Sequence, residues 1–393
     1  MTVLSIILAS YNRAADLHRL LQAYDRQTTR QPFEILVVDN ASSDQTREML
    51  RSYQPRRYSL RCEYLEQNLG QGSARNLAIP LAAAPLVLFT GDDIVPEVDF
   101  VEAHLAAHRR FPAETTAILG RIQWPEDIPT NTVMQHIDGV GGEQFSFYHM
   151  TEEQVCDFRF FYTSNLSIKK SFLQACQPWF DPEYSLYGFE DIDLGYRLSR
   201  AGLQIRYTSA PTARHYHFHS AYSFARRQYK SGKMAHLFVQ KNPELRELIF
   251  GQDFLERLEK ADKEVHSRLP RTRHVRLSPG KILEPIERLE VLALRLASFY
   301  EYHPNIFMDF FYSQVFEHFF HKGILEQMAL EACPGEGGQN TSERQNASDR
   351  HRAIAIQAAF AEPRLKAAIN WLLPRIRKYQ HPLPEGFISI ERV

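Results

Sequence analysis

Short apolar runs alternate with amphipathic stretches along the first hundred residues of the chain. Aliphatic and β-branched residues are concentrated in three runs that are typical of buried strands, at 3–8, 35–38 and 86–89. Apolar residues at helical spacing and good cap residues predict three helices, at 16–24, 44–53 and 72–79. Such strand–helix alternation predicts an α/β domain with parallel strands, right-handed crossovers and flanking helices.

Polar residues follow each of these predicted strands directly. The three clusters are 10–13, 39–44 and 90–93. Because ligands of parallel sheets bind at the carboxyl ends of the strands, we expect these clusters to converge on one site.

The hydrophobic pattern changes further along the chain. It weakens at 122–158, where several glycines suggest a mobile loop over the site, and becomes regular again at 160–168 and 188–202, with a helix at 189–201. Beyond 233 the pattern is helical, except at 333–352, where three glycines and few large apolar residues suggest a flexible loop. We therefore predict two domains, 1–233 and 234–393.

Composition narrows the class of protein. The 393 residues are 44% hydrophobic and 24% charged, which excludes wholesale disorder. Lys and Arg total 46 against 47 acids, a net charge of −1, so no basic field suggests nucleic-acid binding. The four cysteines lack metal-ligand spacing and suggest free thiols in a reducing cytosol. No leader or membrane-spanning pattern is seen, so we expect a cytoplasmic protein.

Asp92 and Asp93 are adjacent acids at a predicted strand end. Two neighbouring carboxylates repel each other unless a cation compensates them, so one interpretation is a Mg²⁺ or Mn²⁺ site shared with phosphate oxygens. The alternative is a turn in which one aspartate caps the following helix.

Three acids, Glu190, Asp191 and Asp193, open the helix predicted at 189–201. The helix dipole favours acids in a first turn, which is a sufficient structural explanation. The functional alternative is a carboxylate base held at a rigid helix start.

Imidazoles alternate with aromatic rings at His215, His217 and His219. On a strand all three would point to one face, where neutral imidazoles suit a divalent metal; single histidines are more often structural. Earlier in the chain, the segment 68–76 combines two glycines with Arg75 near a helix start, but it matches neither a Walker loop nor a dinucleotide fingerprint. Its glycines, Gly72 among them, would let backbone approach a ligand.

Taken in order, these motifs resemble the family 2 glycosyltransferases, which are inverting enzymes of the GT-A fold that use nucleotide-sugar donors. The resemblance covers about 2–233 and is carried by the segments 5–13, 37–44, 68–76, 89–93, 163–167 and 188–198. It implies a mixed, Rossmann-like sheet with flanking helices, followed here by an all-helical C-terminal region that has no recognised relative.

The resemblance also implies roles for donor-binding residues. Ala9, Tyr11 and Arg13 would line the nucleotide pocket, and Asp39 would accept hydrogen bonds from the base. Gly72 and Arg75 would lie near the donor. A carboxylate only accepts hydrogen bonds, so Asp39 would favour bases with N–H groups, such as uracil, thymine or guanine.

Metal and catalytic roles follow from the same comparison. Asp93 corresponds to the last acid of the family's DxD metal motif, with Asp92 in the middle, and His217 to a metal-ligand histidine. Asp191, beside Glu190, corresponds to the acid that acts as general base. Gly91 replaces the first acid of the DxD motif.

The expected function is transfer of a sugar, most simply from a UDP-sugar, to a saccharide or glycoconjugate hydroxyl, with Mn²⁺ or Mg²⁺ on the diphosphate. One alternative is a catalytically silent nucleotide-sugar-binding module, because Gly91 removes an acid. Another is a sugar-1-phosphate nucleotidyltransferase, which is disfavoured because residues 10–13 stand where its glycine-rich loop would be.

The aromatic-rich segment 306–320 of the helical region has two interpretations. Aromatic stripes usually pack into a core, and this is the favoured interpretation. The alternative is a contact with the inner face of a membrane or with a second copy of the chain.

Overall fold

The structure is a computed structural model. It describes residues 1–145, 147, 149–174, 176–268, 279–302 and 307–331, together with the short stretches 354–356, 359–360, 363, 365–373 and 375. Contacts divide the chain into two compact units. The first comprises Met1–Thr130 and Ile137–Phe218, and the second comprises Asn131–His136 and His219–Val393.

A mixed sheet forms the first unit. Its strands are β1 Leu4–Ser10, β2 Phe33–Asp39, β3 Ser59–Tyr64, β4 Leu86–Thr90, β5 Ile94–Pro96, β6 Thr116–Gln123, β7 Val155–Cys156, β8 Asn165–Lys169 and β9 Gln204–His215. Their order is β3-β2-β1-β4-β8-β6-β9-β5, and β7 pairs with β9. The strands β3, β2, β1 and β4 are mutually parallel, as predicted for the first hundred residues, whereas β8 is antiparallel to both β4 and β6.

Helices flank this sheet. They are α1 Ala14–Tyr24, α2 Thr46–Ser52, α3 Gln71–Ala78, α4 Phe100–Arg110, α6 Lys170–Gln174 and α7 Glu190–Arg200; α5, Thr132–Asp138, begins in the second unit and ends in the first. The four helices predicted in this part of the chain are therefore present. β1 and β2 are almost entirely buried, as expected for strands covered on both faces.

Parts of the first unit differ from the prediction. The segment 122–158, predicted as a loop, contains the end of β6, α5 and β7. The edge strand β3 was not predicted, because charged residues at Arg61 and Glu63 interrupt its apolar pattern and no residue in it is fully buried. Edge strands tolerate such residues because only one side is paired.

The second unit is helical where the structure describes it. Its longer helices are α8 Ala221–Lys241, α9 Arg246–Phe250, α10 Gln252–Arg268, α11 Pro279–Phe299 and α12 Met308–Glu331. The predicted domain boundary at 233/234 falls inside α8, which belongs wholly to this unit because it packs along α12. Phe311 and Phe316 of α12 are buried, which favours core packing for the aromatic segment. The loop predicted at 333–352 lies outside the described residues.

Membrane insertion through a helix finds no support in the described part of the chain. None of the helices described there is both long enough and apolar enough to cross a bilayer.

Candidate active site

Two loops at the carboxyl ends of β1 and β2 are joined by Asn12. Its backbone has φ 54°, a left-handed conformation that asparagine tolerates better than most residues. Its side-chain Oδ1 accepts hydrogen bonds from the backbone N–H groups of Ser43 at 2.7 Å and Asp44 at 3.3 Å. Because β1 and β2 run in parallel register, with Ser10 beside Asp39, their loops start at the same sheet edge. This link fixes the backbone of the next residue, Arg13.

Asp93, His215 and His217 form a cluster with the donor atoms of a metal site. One nitrogen or oxygen atom of each lies within 4.8 Å of those of the other two. Asp93 Oδ2 is 3.0 Å from His217 Nδ1 and 3.6 Å from His215 Nε2. Antiparallel pairing of β5 with β9 places Ile94 opposite His215, and the Tyr216 N–H donates to the Asp93 carbonyl at 2.8 Å. The strand register therefore brings together residues far apart in the chain.

This donor set fits a divalent metal ion. Nitrogen and oxygen ligands at about 2.0–2.2 Å from a common ion lie roughly 3–4.5 Å from each other, as these atoms do. Imidazole and carboxylate ligands together suit first-row transition metals such as manganese, whereas Mg²⁺ prefers oxygen alone.

Asp92 and Asp93 have opposite electrostatic situations although they are neighbours. Burial, reinforced by the charge of Asp93, raises the pKa of Asp92 to about 7, and the Ser10 hydroxyl donates to Asp92 Oδ2 at 2.7 Å. Burial also acts to raise the pKa of Asp93, but His215, His217 and Arg13 outweigh it and hold that pKa well below the ordinary value. Asp93 is therefore the permanently charged member of the pair and the better metal ligand.

A second group of charges surrounds Arg75 of α3. Its guanidinium Nη1 lies 3.9 Å from Glu190 Oε1, and the Gln71 amide donates to the same oxygen. Arg75 also interacts electrostatically with Asp191 and Asp92. Among the described residues the Arg75 Nε has no hydrogen-bond partner. Arg75 thus contacts the first acid of α7 and is coupled electrostatically to the second and to an acid after β4.

At the start of α7, Glu190 is buried and Asp191 is half-buried. Phe189, which precedes them, has φ 70° and supplies no side-chain cap. Burial, with the charge of Asp191, raises the pKa of Glu190 to about 7. Burial also raises the pKa of Asp191, although Arg75 opposes that rise. The third acid, Asp193, is bound to Arg197 at 2.8 Å, so its role is structural.

Comparison with known proteins identifies the first unit. The family whose description is Glycosyl transferase family 2 matches residues 5–173. This match covers less than half of the chain. A validoxylamine A glucosyltransferase of Streptomyces hygroscopicus subsp. jinggangensis is 33% identical over 231 residues, which cover 51% of this chain and 52% of that protein. The hyaluronan synthase of Pasteurella multocida is 27% identical over 226 residues, covering 51% of this chain and 23% of that protein.

The chain thus spans about half or less of the length of these relatives. Among solved structures, S. aureus TarS 1–349 aligns with a TM-score of 0.50 and 15% identity, over 93% of this chain and 92% of that one. At this identity the likeness shows the fold alone. The predicted fold class, a GT-A-like mixed sheet with flanking helices and a helical C-terminal region, is confirmed.

The other residues that were predicted to bind the nucleotide-sugar donor lie at the same strand ends. Asp39 is fully buried; its Oδ2 accepts from Arg47 Nε at 3.0 Å and its Oδ1 from the Ser42 N–H at 3.2 Å. Tyr11 is 48% exposed and Ala9 is half-buried, so both are accessible beside the Asn12 loop.

Gly72 has a packing explanation. A Cβ atom there would lie 3.0 Å from Phe180 Cβ and 3.5 Å from Glu190 Cγ. The missing side chain lets α3 approach these two residues, whereas the sequence predicted an approach to a ligand.

Three features of this site differ from what the sequence predicted. His215, which the sequence offered for a metal together with His217 and His219, lies in the cluster with Asp93 and His217, although the family resemblance pointed to His217 alone. Gln71 contacts Glu190, for which no sequence signal exists. His219 does not continue the histidine face, because β9 ends at His215; it belongs to the second unit, where its ring packs on Phe224 with centroids 5.4 Å apart.

Proposed function

We propose that this chain is an inverting glycosyltransferase that moves a sugar from a nucleotide-diphosphate donor, preferably a UDP-sugar, to an acceptor hydroxyl. The observation that carries the proposal is Arg75, whose guanidinium lies 3.9 Å from Glu190 and also interacts electrostatically with Asp191 and Asp92. The candidate base and the strand-end acids therefore belong to one buried charge system, next to the metal cluster.

The donor diphosphate is assigned to the edge formed by Arg13, Asp93 and the two clustered histidines. A divalent ion, Mn²⁺ in preference to Mg²⁺, would be held by Asp93, His215 and His217. When bound, it would neutralise charge that develops on the leaving phosphate oxygens. Arg13 adds a second positive group there, since its guanidinium lies 3.3 Å from Asp93.

The nucleotide base is assigned to the strand ends beside Asp39. Both oxygens of this carboxylate already accept one hydrogen bond, and each retains capacity for a second. An N–H group on the base edge supplies that donor, and uracil, thymine and guanine all carry such a group.

The transfer step needs one base. The acceptor oxygen attacks the anomeric carbon, the bond from that carbon to the diphosphate oxygen breaks, and the diphosphate leaves with the electron pair. Asp191 takes the proton of the acceptor hydroxyl. Its raised pKa makes it a stronger base than an ordinary aspartate, and Arg75 favours its ionised form. A single displacement inverts the anomeric centre.

A silent binding module remains the second candidate. It is supported by Gly91, which replaces the first acid of the DxD motif. A Cβ atom at this position would lie 3.0 Å from Asp93 Oδ1 and 3.1 Å from Ile94 Cγ1, so the present backbone leaves little space for an acidic side chain there. This candidate predicts UDP binding without turnover.

The deciding experiment compares wild type with Asp191→Asn. UDP release from UDP-glucose and UDP-N-acetylglucosamine is measured with Mn²⁺ and a panel of sugar acceptors. We expect Asp191→Asn to lower turnover by about 10²–10⁴-fold with UDP affinity preserved. Glu183→Gln, an exposed charge loss nearby, is the matched control. Normal turnover in Asp191→Asn would remove the assigned base, and UDP binding by an inactive wild type would favour the silent module.

A further inference from the structure

Arg13 contacts the same atoms that a metal ion would use. Its Nη1 lies 3.3 Å from Asp93 Oδ2, and its Nη2 lies 2.9 Å from His217 Nδ1. The guanidinium therefore bridges two of the three residues of the metal cluster, through the donor atoms themselves.

A second acid offers Arg13 another partner. Arg13 Nη1 also lies 3.3 Å from Asp16 Oδ2, on the first turn of α1. The other oxygen of Asp16 accepts from Arg19 Nη1 at 3.1 Å. Arg13 Nη1 thus contacts both acids at once, so the side chain can give up Asp93 and keep Asp16 while the Asn12 loop holds its backbone in place.

Arg13 and a metal ion exclude each other at this cluster. An imidazole nitrogen has a single lone pair, so a His217 Nδ1 without a proton either accepts the guanidinium N–H or binds a metal, whereas a protonated Nδ1 donates to Asp93 Oδ2. A guanidinium and a divalent ion against the same carboxylate oxygen would also repel each other strongly.

We propose that Arg13 is a tethered counter-cation that competes with the divalent ion for Asp93 and His217. It holds the cluster together when no metal is bound. When metal binds, Arg13 gives up Asp93 and His217, keeps its contact with Asp16 and reaches the donor diphosphate, so that donor and metal binding support each other. This inference rests on the proposed metal and donor sites, and it assigns Arg13 a function that simple lining of a nucleotide pocket does not require.

The test is Mn²⁺ binding measured by titration calorimetry without nucleotide. In Arg13→Gln we expect Mn²⁺ to bind about tenfold tighter, because one charge-assisted contact no longer has to be broken. UDP should bind more weakly to the same variant. A merely structural role for Arg13 would weaken both ligands together.

Arg19→Gln is the matched control. It removes the same charge from the same acid, Asp16. In the part of the chain that the structure describes, Arg19 contacts Asp16 and the ring of Tyr216 but neither Asp93 nor His217, so the Mn²⁺ affinity should stay near that of wild type. Arg13→Lys keeps the positive charge but loses the paired N–H donors of the guanidinium, and we expect an intermediate Mn²⁺ affinity. It also covers the case in which Arg13→Gln fails to fold.

A double-mutant cycle tests the exchange between the two acids. In Asp16→Asn the guanidinium loses its alternative partner and competes harder, so Mn²⁺ affinity should fall by about threefold, which is a modest coupling energy. The same substitution in the Arg13→Gln background should have little effect.

The outcomes separate the inference from the proposed function. If wild type binds Mn²⁺ and Asp93→Asn abolishes binding, the metal site stands; an unchanged or weaker affinity in Arg13→Gln then overturns the counter-cation alone. Binding by Arg13→Gln but not by wild type supports the inference. Binding by neither overturns both.

Discussion

The guanidinium of Arg75 lies 3.9 Å from the carboxylate of Glu190, and both side chains are almost completely buried. A buried carboxylate pair next to one buried cation titrates as a unit, and each change to a member shifts the others. Burial, with Asp191, raises the pKa of Glu190 to about 7, and burial also raises the pKa of Asp191. The pH dependence of activity therefore reports directly on this group.

Arg75→Met removes the cation that favours ionised acids. The pKa of Asp191 should then rise further, so the acidic limb of kcat/KM should move to higher pH by about one unit or more. Only the ionised form of Asp191 accepts a proton. Activity of the variant at pH 7 should therefore fall, and it should recover at alkaline pH. Arg61→Met, an exposed arginine on β3, is the control. An unshifted limb would show that Arg75 does not set the charge of the base.

Glu190→Gln should shift the same limb in the opposite direction. The amide keeps the shape of Glu190 but removes its negative charge, so Asp191 no longer has a charged neighbour and loses its proton at lower pH. Activity should therefore persist to more acidic pH than in wild type. The measurement is kcat/KM from pH 5 to 9, with Glu183→Gln as the exposed control. A limb that moves upward in Glu190→Gln would contradict this coupling.

Asp39→Asn tests recognition of the base. An amide presents a donor where the carboxylate accepts, so we expect UDP affinity to fall by about tenfold. Arg47→Gln removes the ion pair with Asp39 but keeps the carboxylate, and it should cost less affinity. Calorimetric titration of UDP compares the two. Equal losses would mean that the ion pair, and not the acceptor oxygens, matters for binding.

Two buried histidines predict acid sensitivity of the fold. Burial lowers the pKa of His104 to about 4 and that of His108 to about 3, whereas both are near 6.5 in an unfolded chain. Between those values the unfolded chain binds protons that the folded chain does not. The free energy of unfolding should be fully retained above about pH 6.5 and should fall toward pH 4. In that range each histidine lowers it by up to ~1.4 kcal/mol for each unit by which the pH falls.

Urea unfolding at several pH values measures this loss. In His108→Leu the pH dependence should be shallower, although the hydrogen bond between its ring and the Ser167 hydroxyl at 2.9 Å is lost. His18→Gln, on the partly exposed side of α1, should keep the wild-type slope. Equal slopes in all three proteins would remove His108 as a source of acid sensitivity.

Close packing of α8 on α12 depends on two glycines. A Cβ atom at Gly232 would lie 1.9 Å from the Phe320 carbonyl oxygen, and one at Gly323 would lie 2.1 Å from that of Tyr229. Either Gly→Ala change should lower the free energy of unfolding by about 1–3 kcal/mol, despite the better helix propensity of alanine. Ser231→Ala on the same helix is the control. Stability at or above wild type would show that the helices separate without cost.

The alternating strands and helices of the first unit, and the acids that follow its strands, were predictable because both depend on local periodicity. Asp92, Asp93 and Asp191 are visible in the same way, each at the end or start of an element. The antiparallel insertion of β8 between β4 and β6 was not predictable. Strand order depends on which surfaces pack together, and a run of apolar residues does not indicate which strand will pair with it.

The sequence alone determined which elements form and which residue types follow them, since these are properties of neighbouring residues. Only the tertiary structure decided that Asp93 meets His215 and His217, because the register of β5 on β9 sets that contact across more than a hundred residues. It alone decided that Arg75 faces Glu190, since that requires α3 and α7 to pack at one sheet edge. Long-range pairing minimises the energy of the whole chain, and no local pattern encodes it.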